Sequence, residues 1–208
     1  MIPRVLHRIW LDDPMPARYR EYGRWWDRLH PGWDRTDWTS SAELPPLAHQ
    51  ALVDNAAERY PRDWKRFQAD VVRLELLLLY GGVYSDTDVA PMANLEGLLA
   101  DRSCVLVTSP QHTEGDHPIT NCLMAAAPGH PYIRALVDGI RAALEAHGHR
   151  HLAQSVGPWH LTRTYRGRDW GDEVTVVGHE EAFGPHARGG WIKHDWNTAA
   201  RKAGRGVW

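Results

Sequence analysis

The nine residues from Gly81 to Val89 constrain this chain more than any other segment. Their sequence, Gly-Gly-Val-Tyr-Ser-Asp-Thr-Asp-Val, places Asp86 and Asp88 one residue apart after a short β-type run. On a regular strand both carboxylates would point to the same face, where like charges repel strongly. Such a pair tends to hold a proton or a cation at neutral pH. The block therefore predicts a Mg²⁺ or Mn²⁺ site that leaves room for substrate phosphates, with a solvated acidic loop as the alternative.

Strand and helix patterns alternate around this block. The predicted strands cover residues 5–10, 33–38, 83–86, 105–109, 120–126 and 174–177, and the predicted helices cover residues 16–30, 46–60, 63–80, 131–147 and 158–165. The tail from residue 184 carries no regular pattern. This alternation favours an α/β fold with helices on both faces of a sheet. A chain of 208 residues without a repeat or linker predicts a single domain over residues 1–208.

The composition excludes several function classes. A formal net charge of −2 gives no general electrostatic attraction to nucleic acid or to acidic membranes. The leucine-rich run at residues 76–80 is far shorter than a membrane span, and the first residues lack a signal-peptide pattern. Cys104 and Cys122 are too few and too far apart for a disulfide framework or a cysteine zinc site. We therefore expect a cytoplasmic protein with no nucleic-acid partner and no transmembrane segment.

Three ordered blocks carry a family resemblance. They are Ile-Pro-Arg-Val-Leu-His-Arg-Ile-Trp at residues 2–10, Asp-Val-Val-Arg at residues 70–73, and Gly-Gly-Val-Tyr-Ser-Asp-Thr-Asp at residues 81–88. Together they resemble the DXD-containing glycosyltransferases of family 32, which include yeast mannosyltransferases and bacterial capsule enzymes. The chain is also distantly similar to the glucosyltransferase domain of large clostridial toxins. The resemblance implies a GT-A type fold with a mixed, mostly parallel sheet flanked by helices, and a retaining glycosyltransferase that needs Mn²⁺ or Mg²⁺.

The resemblance also assigns roles around the metal. It implies that Asp88 is the direct metal ligand, while Asp86 contacts the donor's ribose or sugar and reaches the metal through water. His194 is a further candidate ligand. Trp196 is a candidate contact of the leaving group. Tyr84 shares a face with the two carboxylates on an ideal strand, so it could bind the donor phosphates or could simply pack.

A second set of residues is predicted to bind the donor. Asp70 and Arg73 are neighbours on a helix, and the resemblance assigns both to the donor sugar or phosphate. The alternative for this pair is an ordinary ion pair on the helix surface. Trp10 ends the first strand and by resemblance stacks on the nucleotide base, the alternative being a core tryptophan. Asn121 completes the predicted site, near the acceptor in the relatives. Asp12 and Asp13 follow Trp10 in a loop where many relatives carry glycine.

The predicted reaction moves a sugar from a UDP- or GDP-sugar to a glycan or small-molecule acceptor. Two alternatives from other classes stay open at this point. One is a phosphatase of the haloacid dehalogenase type, which also uses Asp-x-Asp but usually near the N-terminus. The other is a nucleotide-sugar-binding module without catalytic activity. The residues do not distinguish the donor base, the sugar or the acceptor.

Overall fold

The computed structural model describes residues 1–109, 118–148, 152–183 and 190–195. Within them a six-stranded sheet has the order β2-β1-β3-β6-β5-β7, and β4 and β8 form a separate ribbon. The strands are β1 (Val5–Ile9), β2 (Asp34–Trp38), β3 (Gly82–Ser85), β4 (Val89–Pro91), β5 (Cys104–Thr108), β6 (Ile119–Ala126), β7 (Thr175–Val177) and β8 (Ile192–His194). β1 pairs in parallel with β2 and β3, and β5 pairs in parallel with β7, whereas β6 is antiparallel to both of its neighbours. The predicted mixed sheet is confirmed.

The helices flank this sheet. They are α1 (Ala17–Leu29), α2 (Gln50–Asp54), α3 (Ala56–Arg59), α4 (Trp64–Tyr80), α5 (Glu96–Leu99), α6 (Pro131–His147), α7 (Leu152–Ser155), α8 (Pro158–Arg166) and α9 (His179–Ala182). The prediction of one helix over residues 46–60 is wrong, because the chain breaks at Asn55, whose side chain donates a hydrogen bond to the carbonyl of Ala51. The tail predicted to be irregular contains β8, which is too short to show a pattern.

Both faces of the sheet are buried. Along β5, Cys104 and Leu106 belong to one apolar cluster and Val105 and Val107 to the other, as the alternation of side chains along a strand requires. The first cluster contains the buried apolar residues of α4 and α6. The second contains Trp26 of α1. The central part of the sheet is therefore covered on both sides, which is why β5 is apolar at successive positions.

Two glycines direct the chain from α4 into β3. Gly81 and Gly82 have positive φ angles of 64° and 89°, a conformation that side chains with a Cβ rarely adopt. A Cβ at Gly81 would lie 2.6 Å from the backbone nitrogen of Pro128, and one at Gly82 would lie 2.5 Å from the carbonyl oxygen of Val5. This tight turn places Asp86 directly after a central strand. In the part of the chain that the structure describes, no helix has both the length and the apolar character needed to cross a membrane.

Candidate metal and donor site

Three potential metal ligands converge at the end of β3. One ligand atom each from Asp86, Asp88 and His194 lies within 4.8 Å of the others. The sequence predicts that the two aspartates share a face of a regular strand, and this prediction is wrong. β3 ends at Ser85, and the next residues form a turn. The amide of Val89 closes this turn by donating to the carbonyl of Asp86 at 3.1 Å. The turn therefore brings the carboxylates together on a backbone that is no longer extended.

The ribbon of β4 and β8 brings in the histidine. His194 pairs with Val89, the residue that follows Asp88. Its Nε2 atom lies 3.2 Å from Oδ1 of Asp88 and 3.7 Å from Oδ2 of Asp86. Burial alone would lower the pKa of His194, but the two carboxylates outweigh this effect and raise the pKa to about 9. Without a metal, a protonated imidazole supplies the positive charge that the carboxylates require.

A buried arginine and a buried tyrosine hydrogen-bond to the carboxylate of Asp86 and fix its orientation. Its Oδ1 atom accepts hydrogen bonds from Nη1 of Arg73 at 2.9 Å and from the hydroxyl of Tyr84 at 2.7 Å. Burial acts to raise the pKa of Asp86, but Arg73, His194 and Tyr84 together hold it well below its usual range. Tyr84 is only 1% exposed, so its hydroxyl orients Asp86 and does not face the open side of the site.

Arg73 joins the metal carboxylate to a second, fully buried carboxylate. Its Nη2 atom lies 2.7 Å from Oδ1 of Asp70. The same oxygen accepts a hydrogen bond of 2.7 Å from Nδ2 of Asn121, and the carbonyl of Asn121 accepts one from Arg73. The side chains of Asp70 and Arg73 are 1% and 5% exposed. Because both are buried, the pair is not the surface ion pair considered above.

The other oxygen of Asp70 is unusual. Oδ2 is buried and accepts no hydrogen bond among the described residues; Arg66 lies 3.9 Å away. Burial raises the pKa of Asp70, although Arg73 acts in the opposite direction. A buried polar atom without a partner costs free energy that a ligand hydroxyl would offset.

Trp10 lies just beyond β1 and contacts an aromatic residue of α1. Its ring meets that of Tyr19 edge to face at a centroid distance of 5.6 Å. Burial raises the pKa of the Tyr19 hydroxyl, and the charge of Asp88 adds to the effect. Tyr19 thus contacts Trp10 and lies within electrostatic range of Asp88. We call Trp10 and Tyr19 the aromatic pair.

The loop after Trp10 contains Asp12 in a left-handed backbone conformation. Asp12 has a positive φ of 58°, the conformation that glycine adopts most easily and that aspartate tolerates better than most residues. Its carboxylate accepts a hydrogen bond from the amide of Ser41 at 3.0 Å. Asp12 therefore has a backbone conformation that glycine would also adopt.

Several contributors to this site carried no signal in the sequence. Tyr19 lies in an amphipathic helix, and its neighbours Arg18 and Tyr22 both contact the carboxylate of Asp195. Asp195 also donates its amide to the carbonyl of Asp88 at 3.1 Å, which anchors the residue next to His194. Trp196, the predicted leaving-group contact, lies outside the described residues.

Comparisons with known proteins identify the family. Residues 16–105 match the glycosyltransferase sugar-binding region containing a DXD motif. The chain is 30% identical over 164 residues to inositol phosphoceramide mannosyltransferase 3 of Schizosaccharomyces pombe, an alignment that covers 77% of this chain and 44% of that protein. The chain contains a DXD-type glycosyltransferase domain. Its DXD motif is Asp86-Thr87-Asp88, and this match sets the phosphatase alternative aside.

Solved structures share the fold of this glycosyltransferase domain. The UDP-bound glycosyltransferase domain from the YGT toxin has a TM-score of 0.59 at 12% identity, covering 94% of this chain and 83% of that one. PaToxG glycosyltransferase has a TM-score of 0.57 at 13% identity, with coverages of 80% and 69%. The predicted GT-A type fold is thereby confirmed.

The chain is shorter than its curated relatives. It spans 44%, 50% and 39% of the lengths of the three Schizosaccharomyces pombe inositol phosphoceramide mannosyltransferases that it matches. The match to the DXD-containing region and the shared fold therefore hold for this chain, whereas the activity of those longer proteins does not follow from them.

Proposed function

We propose that this domain transfers a sugar from a nucleotide-sugar donor, a UDP- or GDP-sugar, to a glycan or small-molecule acceptor, with retention of configuration and with a divalent metal. The observation that carries the proposal is that one side chain, that of Arg73, links the metal-ligand cluster to a buried carboxylate. Arg73 connects the ligand cluster of Asp86, Asp88 and His194 to the buried Asp70. A donor whose diphosphate lies at the cluster would place its sugar beside Asp70.

The donor set fits Mn²⁺ or Mg²⁺. Carboxylate oxygens suit both ions, and an imidazole is accepted more readily by Mn²⁺. Asp88 and His194 would hold the ion directly, and Asp86 would turn its Oδ2 toward it, since Oδ1 is already engaged by Arg73 and Tyr84. When bound, the metal would neutralise the diphosphate as negative charge develops on the leaving group.

Side chains of the protein would bind and orient the sugar and the base of the donor. The free Oδ2 of Asp70 would accept a hydroxyl of the donor sugar. Arg73, which makes hydrogen bonds to Asp86, Asn121 and Ala69, would fix the two carboxylates and not grip the donor itself. Trp10 would stack on the nucleotide base, a contact that tolerates either uracil or guanine.

The names of the relatives favour a mannosyl donor among the candidates. Six curated matches are described as mannosyltransferases or as mannosyl phosphorylinositol ceramide synthases. GDP-mannose is therefore the first donor to test, beside UDP-glucose, UDP-galactose and UDP-N-acetylglucosamine.

Calorimetric titration of these donors, with and without Mn²⁺, tests the proposal. We expect metal-dependent binding of one donor and slow release of the nucleoside diphosphate by hydrolysis. Asp88→Asn should abolish the metal-dependent part, while the control Asp138→Asn, an exposed residue of α6, should not. Binding without any donor cleavage or transfer would identify a non-catalytic module. Absence of metal-dependent binding in the folded wild-type chain would refute the proposal.

A further inference from the structure

One arginine of this domain is entirely buried and takes no part in the site described above. Arg8 is the fourth of the five residues of β1 and is 0% exposed. Burial lowers its pKa, and Asp37, at 3.2 Å, acts in the opposite direction. Burying a cation is costly unless its hydrogen bonds are used. The contacts of the guanidinium therefore indicate which interactions offset the free-energy cost of burying this charge.

The guanidinium of Arg8 contacts two segments that build the site, the DXD turn and the beginning of α1. Nη2 donates to the carbonyl oxygen of Thr87, the central residue of the DXD motif, at 3.2 Å. The same nitrogen donates to the carbonyl oxygen of Tyr19, a member of the aromatic pair. One nitrogen thus joins the backbone of the metal-ligand turn to the first turns of α1.

Helix α1 is shaped to admit this side chain. Gly23 lies one helical turn after Tyr19 in α1, and a Cβ there would overlap Nη1 of Arg8 and lie 3.0 Å from Nη1 of Arg35. Glycine inside a helix is unfavourable relative to alanine. Its presence here is explained by the space that the guanidinium of Arg8 occupies.

We propose that Arg8 is a positioning residue that fixes the spacing between the DXD turn and the aromatic pair. The proposal rests on the function proposed above, because that spacing matters only if the metal-bound diphosphate and the base belong to one ligand. Arg8 itself is too deeply buried to touch the donor. Lysine cannot replace it, because a single ammonium lacks the planar fork that serves Asp37 and the two carbonyl oxygens together.

Two pairs of matched variants test the proposal. Arg8→Lys removes the fork, and Arg35→Lys makes the same change in an arginine that binds the same Asp37 and whose other hydrogen bonds go to the side chain of Asp27, not to the carbonyl of Thr87 or of Tyr19. Gly23→Ala displaces Arg8 while retaining it, and Gly97→Ala adds a methyl group in α5 where nothing lies within 4 Å. Mn²⁺ affinity and nucleotide affinity are measured by calorimetry below the melting temperature of each variant, with circular dichroism to verify folding.

We expect Arg8→Lys and Gly23→Ala to weaken nucleotide binding in the presence of Mn²⁺ by at least about tenfold, whereas Arg35→Lys and Gly97→Ala stay within about twofold. Wild-type affinity for Mn²⁺ and nucleotide in folded Arg8→Lys would overturn the proposal. If Arg8→Lys does not fold, Gly23→Ala decides; if neither folds, Arg8 is a core residue and the proposal is wrong. A wild-type chain that binds neither ligand would instead overturn the proposed function, and the role of Arg8 with it.

Discussion

Metal binding by this domain should depend steeply on pH, because the imidazole nitrogen of His194 that would bind the metal carries a proton when the metal is absent. The pKa of His194 is about 9 in the metal-free protein, and only the neutral imidazole can bind a metal. At pH 7 the imidazole is neutral in about one molecule in 100, which lowers the apparent affinity about 100-fold, equivalent to about 3 kcal/mol. Affinity should therefore rise about tenfold per pH unit between about pH 6 and pH 8. Asp86 adds no slope in this window, because its pKa lies far below it.

Calorimetric titration of Mn²⁺ at several pH values measures this slope. Repeating the titration at about pH 7 in buffers of different ionisation enthalpy should reveal the release of about one proton per metal bound. His194→Gln should flatten the profile, whereas His147→Gln, which changes an exposed histidine of α6, should leave it unchanged. A flat profile in the wild type, or the same slope in His194→Gln, would show that His194 does not exchange its proton for the metal.

Three further substitutions test the predicted donor-binding residues and the loop that follows Trp10. Trp10→Ala should weaken nucleotide binding by about 1–3 kcal/mol in calorimetry; unchanged affinity in a folded variant would show that the ring only packs. Arg73→Lys should lower the melting temperature by at least about 4 °C and donor affinity by more than about tenfold, because lysine cannot serve both carboxylates. Arg66→Lys, whose side chain is 40% exposed, is its control and should change neither. Asp12→Gly should leave the melting temperature within about 3 °C, since relief of the positive φ offsets the lost hydrogen bond to Ser41; a larger fall would show that the carboxylate holds the loop.

Local patterns in the sequence predicted the parts of the site that local geometry determines. The glycine pair and the two aspartates lie within eight residues, Gly81 to Asp88, so their turn and their proximity follow from a short segment. The spacing of Asp70 and Arg73 likewise predicted that they are neighbours. It could not predict their burial, because an i,i+3 pair has the same spacing on the surface and in the core.

Contacts between distant segments were not predictable in the same way. The family resemblance identified His194 as a candidate ligand. Its position beside the carboxylates depends on the pairing of two three-residue strands, which are too short to show an alternating pattern. Arg8 gave no signal either, since a charged residue within a short strand usually faces solvent. Gly23 becomes interpretable only when the side chain that fills its space is known.

The ribbon of β4 and β8 gives the ligand cluster two parts of unequal local stability. Asp86 follows a central strand of the six-stranded sheet, whereas His194 belongs to a strand with a single neighbour in the described residues. Short, singly paired strands open locally at a lower free energy than central ones. Opening of the ribbon would leave the carboxylates in place and remove the imidazole, without unfolding the sheet. By linkage, a bound cation would hold the ribbon closed, so the occupancy of the site and the order of residues 192–195 would rise and fall together.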